Sequence, residues 1–132
     1  MKSACALAVL LALPASYPVV AGDEVPQYLR AAVADSGRPA ADTQRDADRK
    51  PTESMAFAGV QPKSLVVELI PGGGYYTRLL SKVVGPEGRL YAVVPAPRPD
   101  APAGSPDRSV PIKALAADSG YRNITVLVAC NN

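Results

Sequence analysis

The stretch VVELIPGGGYYTRLL, residues 66–80, decides the fold. An apolar run that carries one acid, Glu68, is followed by a proline, by three of the chain's ten glycines and by apolar residues at helical spacing. A second β-branched run, RLYAVV, ends at residue 94. Strand, glycine turn, helix and strand in this order predict one βαβ unit, with strands at 65–70 and 89–94 and a helix at 75–84. The first strand is expected to be buried on both faces.

The three adjacent glycines indicate that a ligand approaches the backbone closely at this turn. Backbone N–H groups at the start of a helix, outside the carboxyl end of a strand, favour such binding. A phosphate loop of the GxxxxGK[ST] type is excluded, because no lysine follows the glycines. A dinucleotide fingerprint fits weakly, because Thr77 stands where the last small residue belongs and no acid ends the second strand.

The acid and the glycine cluster resemble motif I of class I S-adenosylmethionine-dependent methyltransferases. The motif is acid-x-Gly-x-Gly-x-Gly; Glu68, Gly72 and Gly74 match it, and Ile70 replaces the first glycine. The resemblance implies that S-adenosylmethionine is the cofactor. It also implies the residues that hold the cofactor, which are Glu68, Gly72, Gly73 and Gly74, with Tyr75 beside them.

The longer context is similar to a family of exported predicted methyltransferases over residues 25–128, through segments such as RDADRKP, AFAGVQP and ALAADSGYRNITVLV. The resemblance implies an α/β, three-layer Rossmann-like methyltransferase fold. Only its first half is expected here, with three parallel strands in the order 3-2-1 and their helices. Two features depart from the family. Val94 and Pro95 stand where an acid usually binds the ribose, and the chain reads as truncated after its third strand, NITVLVA.

Composition divides the chain into three parts. Residues 1–22 are predicted to be a signal peptide, with Lys2 ahead of an apolar core and small residues before a cleavage site at Gly22. Export to the periplasm or secretion follows, with no membrane segment after cleavage and Cys130 as the remaining thiol. Residues 23–50 are predicted to be a helical, polar segment whose charges mostly face solvent. Residues 51–132 are predicted to be the partial methyltransferase domain, with a stiff, extended proline-rich loop at 95–111.

Charge and residue types exclude several functions. The formal net charge is +2 without a basic block, so no nucleic-acid partner is expected. The chain has no histidine, which excludes a Ser-His-Asp triad and histidine metal sites, and no metal is predicted.

Two function classes stay open. The first is methyl transfer from S-adenosylmethionine to an acceptor that the sequence does not identify, with no catalytic residue that can be named. The second is a non-catalytic half domain, acting as a binding or assembly module, or an inactive fragment. The strand order 3-2-1 leaves residues 65–70 at an edge of the sheet, and this apolar edge predicts self-association.

Overall fold

The computed structural model describes residues 24–129. The predicted signal peptide and Cys130 lie outside these residues. In chain order the elements are α1 (Gln27–Val33), α2 (Ala40–Thr43), α3 (Asp46–Arg49), α4 (Pro51–Phe57), β1 (Leu65–Leu69), α5 (Tyr75–Val84), β2 (Arg89–Pro95), α6 (Val110–Ala117), a 3-10 turn (Ser119–Tyr121) and β3 (Ile124–Ala129).

The three strands form one parallel sheet in the order β1-β2-β3. Leu65 of β1 lies opposite Arg89 of β2, and Leu90 of β2 lies opposite Ile124 of β3. The sheet and its helices confirm the predicted α/β class and the strand order 3-2-1. Each crossover contains a helix, α5 or α6, as parallel neighbours require.

One face of the sheet carries the core, and the other face is open among residues 24–129. On β2, Leu90, Ala92 and Val94 are buried beneath the helices. On β1 the opposite face bears Leu65, Val67 and Leu69, which are 68%, 56% and 71% exposed. Successive strand residues point to opposite faces, so these apolar side chains lie on the side that no described helix covers. The prediction that β1 is buried on both faces is therefore wrong for this part of the chain.

Helix α5 links the glycine turn to the core. Its apolar positions Leu79, Leu80, Val83 and Val84 recur at helical spacing and are buried against the sheet. The helix ends at Gly85, and the buried Asn123 donates hydrogen bonds from Nδ2 to the carbonyls of Ser81 and Gly85, both at 2.8 Å. Each carbonyl also accepts a backbone N–H, from Gly85 and Gly88 respectively, so the Asn123 amide adds a second hydrogen bond to each at the end of the helix.

The proline-rich segment between β2 and α6 curls back on itself. Backbone turns join Ala101 N–H to the Arg98 carbonyl (3.1 Å) and Ser105 N–H to the Pro102 carbonyl (3.0 Å). Residues of the segment line a pocket of about 470 Å³. The predicted stiff, extended form is therefore wrong, because short turns between the prolines reverse the chain.

No helix between residues 24 and 129 is both long and apolar enough to cross a membrane.

Candidate functional site

A groove of about 810 Å³ runs along the edge of β1 that pairs with no strand among residues 24–129. Residues from both faces of the strand line it, with Val66 and Glu68 on the covered face and Val67 and Leu69 on the open one. The side chains of α4 also line the groove, among them Met55. The volume lies within the range of about 300–1,000 Å³ that small-molecule sites occupy.

Two of the three glycines open onto this groove. Gly72, at φ +59°, and Gly73 line it, and a Cβ atom placed on either would meet no atom within 4 Å. The backbone therefore borders open space at the carboxyl end of β1, where parallel sheets bind their ligands. A flat ligand group can lie directly against this part of the chain.

Gly74 is placed differently from its two neighbours. It is buried and does not line the groove. Its φ of +85° suits glycine, and a Cβ atom there would approach Arg78 Nη1 to 3.1 Å and Ile112 Cδ1 to 3.3 Å. The structure thus gives Gly74 a packing role between α5 and α6, at the residue that immediately precedes α5.

Glu68 lines the groove from the covered face of β1. The Thr77 hydroxyl donates a hydrogen bond of 2.7 Å to Glu68 Oε2. Burial raises the pKa of Glu68, and the bond from Thr77 opposes part of this rise. Thr77, the residue that departs from the dinucleotide fingerprint, is fully buried, and its hydroxyl is the hydrogen-bond donor to this carboxyl group. A cationic group of a ligand in the groove could bind Glu68 and would stabilise the charged form of its carboxyl group.

Tyr75 is more deeply buried than Tyr76, which is the reverse of what the sequence predicts. Helical spacing predicts Tyr76 in the core and Tyr75 beside the ligand, yet Tyr75 is 4% exposed and Tyr76 is half-buried. Tyr75 donates from its hydroxyl to Asp46 Oδ1 at 2.6 Å, and burial together with Asp46 raises the pKa of Tyr75 to about 12. Tyr75 still lines the groove, but the N-terminal segment folds over its ring.

One ion pair attaches the N-terminal segment to α5, and a second lies within that segment. Arg38 donates two bonds to the carboxylate of Asp46, at 2.7 and 2.8 Å, and Asp42 accepts a bond of 2.7 Å from Arg78 Nε. The Arg38 side chain is 2% exposed. The expectation of a solvated, charged surface is therefore wrong for Asp42 and Asp46, because a short turn places both carboxylates against arginines.

Two arginines that the sequence reasoning did not single out also line the groove. The guanidinium carbons of Arg45 and Arg49 lie 5.8 and 4.7 Å from the centroid of the Tyr75 ring. Neither guanidinium has an ion-pair or hydrogen-bond partner among residues 24–129. Their spacing of four residues in RDADRKP was the available signal, since residues four apart share one helical face.

Within the described range, His, Cys, Asp and Glu side chains form no group of three or more that could hold a metal ion.

No protein-family model matches the chain, and no curated protein matches it. Two solved methyltransferase structures are similar to part of it. A protein-L-isoaspartate O-methyltransferase is 22% identical over 61% of this chain and 22% of its own, with a TM-score of 0.45. A SAM-dependent methyltransferase from Aquifex aeolicus is 22% identical over 72% of this chain and 48% of its own, with a TM-score of 0.48.

This chain therefore spans less than half the length of either solved structure. The fold class follows from the parallel topology of the chain itself.

Proposed function

We propose that this chain provides the cofactor-binding half of an S-adenosylmethionine-dependent methyltransferase. One observation carries the proposal, the open space above Gly72 and Gly73 at the carboxyl end of β1, inside a groove of about 810 Å³. Glu68, Gly72 and Gly73, which belong to the motif that resembles the methyltransferase glycine loop, thus border the groove.

The chemistry of the lining fits an S-adenosyl group. Glu68 offers an acceptor for the ammonium of the methionine end, and the glycine backbone allows close contact with the ligand. The apolar side chains of Met55, Val60 and Val66 give the adenine ring a surface on which to bury itself. β2 ends at Pro95 without an acid, so ribose recognition falls to backbone groups.

The cofactor itself supplies an activated methyl group, and the chain has to bind and orient it. No residue is assigned to catalysis, and the methyl acceptor is not named. Leu69 and Ile70 border the groove but are mostly exposed, so we expect S-adenosylmethionine and S-adenosylhomocysteine to bind weakly. Export of the protein stays a prediction carried by residues 1–22.

Calorimetry with S-adenosylhomocysteine tests the proposal. Gly73 does not have a positive φ, and a Cβ atom there meets nothing within 4 Å, so Gly73→Val should fold normally while filling the space above the turn. We expect this variant to bind roughly tenfold or more weakly, a loss of about 1.4 kcal/mol or more. Ala117→Val, an exposed change at the end of α6, is the matched control and should bind as the original chain does. Equal binding by both variants would reject the proposed site.

A second candidate function, a self-assembling module, is favoured by the open face of the sheet. Among residues 24–129, β1 has an unpaired edge and an exposed apolar row, a combination that pairs with other chains unless it is covered. We propose that a second copy of this chain binds to this edge and apolar row. Sedimentation velocity should then show a concentration-dependent dimer that Val67→Lys suppresses and Ala117→Lys does not. A monomer at every concentration would rule this candidate out.

A further inference from the structure

The charged side chains that line the groove are not balanced. Four of them line it, which are Asp42, Arg45, Arg49 and Glu68. Asp42 is already paired with Arg78 at 2.7 Å, outside the groove lining. Glu68 accepts the Thr77 hydroxyl at 2.7 Å, and its single carboxylate can offset only one of the two arginine charges. The two arginines thus leave an excess of positive charge in the groove.

Arg49 is held in place from several directions. Its backbone carbonyl accepts hydrogen bonds from the hydroxyls of Tyr76 and Ser54, both at 3.1 Å. Its guanidinium lies 4.7 Å from the Tyr75 ring centroid and 5.9 Å from that of Tyr76. A cation stacked on aromatic rings keeps its N–H donors at the edge of the plane free for another partner.

The nearby carboxylate of Asp46 does not supply that partner. Both of its oxygens accept bonds from Arg38, and Oδ1 also accepts the hydroxyl of Tyr75. Arg45 and Arg49 both line the groove, and both guanidiniums lie within 5.8 Å of the Tyr75 ring centroid. A ligand that enters the groove therefore meets two arginines with free donors.

We propose that Arg45 and Arg49 form a carboxylate subsite of the groove. The planar guanidinium donates two parallel hydrogen bonds that match a carboxylate. Glu68 in the same groove disfavours a doubly charged anion such as phosphate. This inference rests on the proposed function, and it names a ligand group that the glycine turn alone does not. The carboxylate belongs either to the methionine end of the S-adenosyl compound or to the methyl acceptor.

Three probes distinguish these sources. S-adenosylhomocysteine has the amino-acid end, 5′-methylthioadenosine lacks it, and succinate presents carboxylates alone. Each probe is titrated into the full chain, and binding is measured by calorimetry and by the Nε–Hε NMR signals of the arginines. The variants are Arg45→Gln and Arg49→Gln. Arg122→Gln is the control, because Arg122 is exposed and lies outside the groove lining.

A cofactor carboxylate predicts that each groove variant binds S-adenosylhomocysteine at least tenfold more weakly and binds 5′-methylthioadenosine unchanged. An acceptor carboxylate predicts unchanged binding of both nucleosides, together with saturable succinate binding that the groove variants lose. Either result supports the subsite, provided that Arg122→Gln behaves as the original chain.

The subsite is rejected if the groove variants change neither nucleoside binding nor succinate binding. It is also rejected if Arg122→Gln has the same effect as they do. If the original chain fails to bind S-adenosylhomocysteine at all, the proposed function fails, and the succinate titration still decides the subsite by itself.

Discussion

Replacing Ile70 by glycine tests whether the chain holds strained backbone where β1 enters the glycine turn. Ile70 stands at the position of the first glycine in the methyltransferase motif, and its φ is +56°. A β-branched residue is rarely found in this left-handed region. Its N–H nevertheless donates to the Val93 carbonyl at 3.0 Å, which continues the ladder between the strands. The sheet therefore holds Ile70 in an unfavourable conformation.

The expected effect can be worked out from three contributions. Relief of the left-handed conformation contributes about 1–2 kcal/mol. Glycine adds freedom to the unfolded chain, which costs about 0.4–1 kcal/mol. Ile70 is 69% exposed, so losing its buried third costs roughly 0.5–1 kcal/mol. These contributions nearly cancel, and Ile70→Gly should leave the free energy of unfolding almost unchanged.

Leu69→Gly is the matched control, because Leu69 is 71% exposed and lies in the extended strand. Leu69→Gly has the same two costs without relief of strain, so its free energy of unfolding should fall by roughly 1–2 kcal/mol. Urea denaturation of both variants measures the difference, and melting temperatures should differ by about 4–8 °C per kcal/mol. If Ile70→Gly destabilises the protein as much as Leu69→Gly does, the reasoning about strain is refuted.

Two further changes test the charged groups around the turn. Asp46→Asn should lower the free energy of unfolding, measured in urea, by about 3–5 kcal/mol, because Arg38 is buried and loses its charge partner. Asp48 is exposed, so the control Asp48→Asn should change this free energy by under about 0.5 kcal/mol. Equal effects of the two changes would contradict the buried ion pair. Burial raises the pKa of Glu68 above its usual 4.5. The contribution of this group to the free energy of unfolding is therefore greatest below pH 4.5, and it falls as the pH rises through the raised pKa. Glu68→Gln should therefore gain stability relative to wild type as the pH rises above 4.5, and parallel pH curves would contradict this.

Local sequence patterns predicted the elements that surround the turn. The apolar run and the helical spacing of residues 65–94 gave both strands and α5 within one residue of their bounds. The predicted first strand ran one residue too far, to Ile70, because the left-handed φ of that residue turns the chain out of the strand. The parallel order followed from the resemblance together with the helical crossovers.

Contacts between distant segments were not predictable in the same way. Tyr75 and Asp46 are 29 residues apart, and the bond between them depends on how α2 and α3, each four residues long, fold over α5. A charged segment with such short helices gives no periodicity from which to read its buried face. The exposed row of β1 was missed for another reason, since an apolar run does not reveal whether a covering layer lies nearby.

The central claim is that the glycine turn binds an S-adenosyl compound, and its most direct test is an amide NMR titration with S-adenosylhomocysteine. Weak binding suits this measurement, because each backbone N–H reports its own surroundings. The account predicts saturable shifts concentrated at Glu68, Gly72 and Gly73, and the loss of these shifts in Gly73→Val. An absence of saturable shifts, or shifts confined to residues outside the groove, would contradict it.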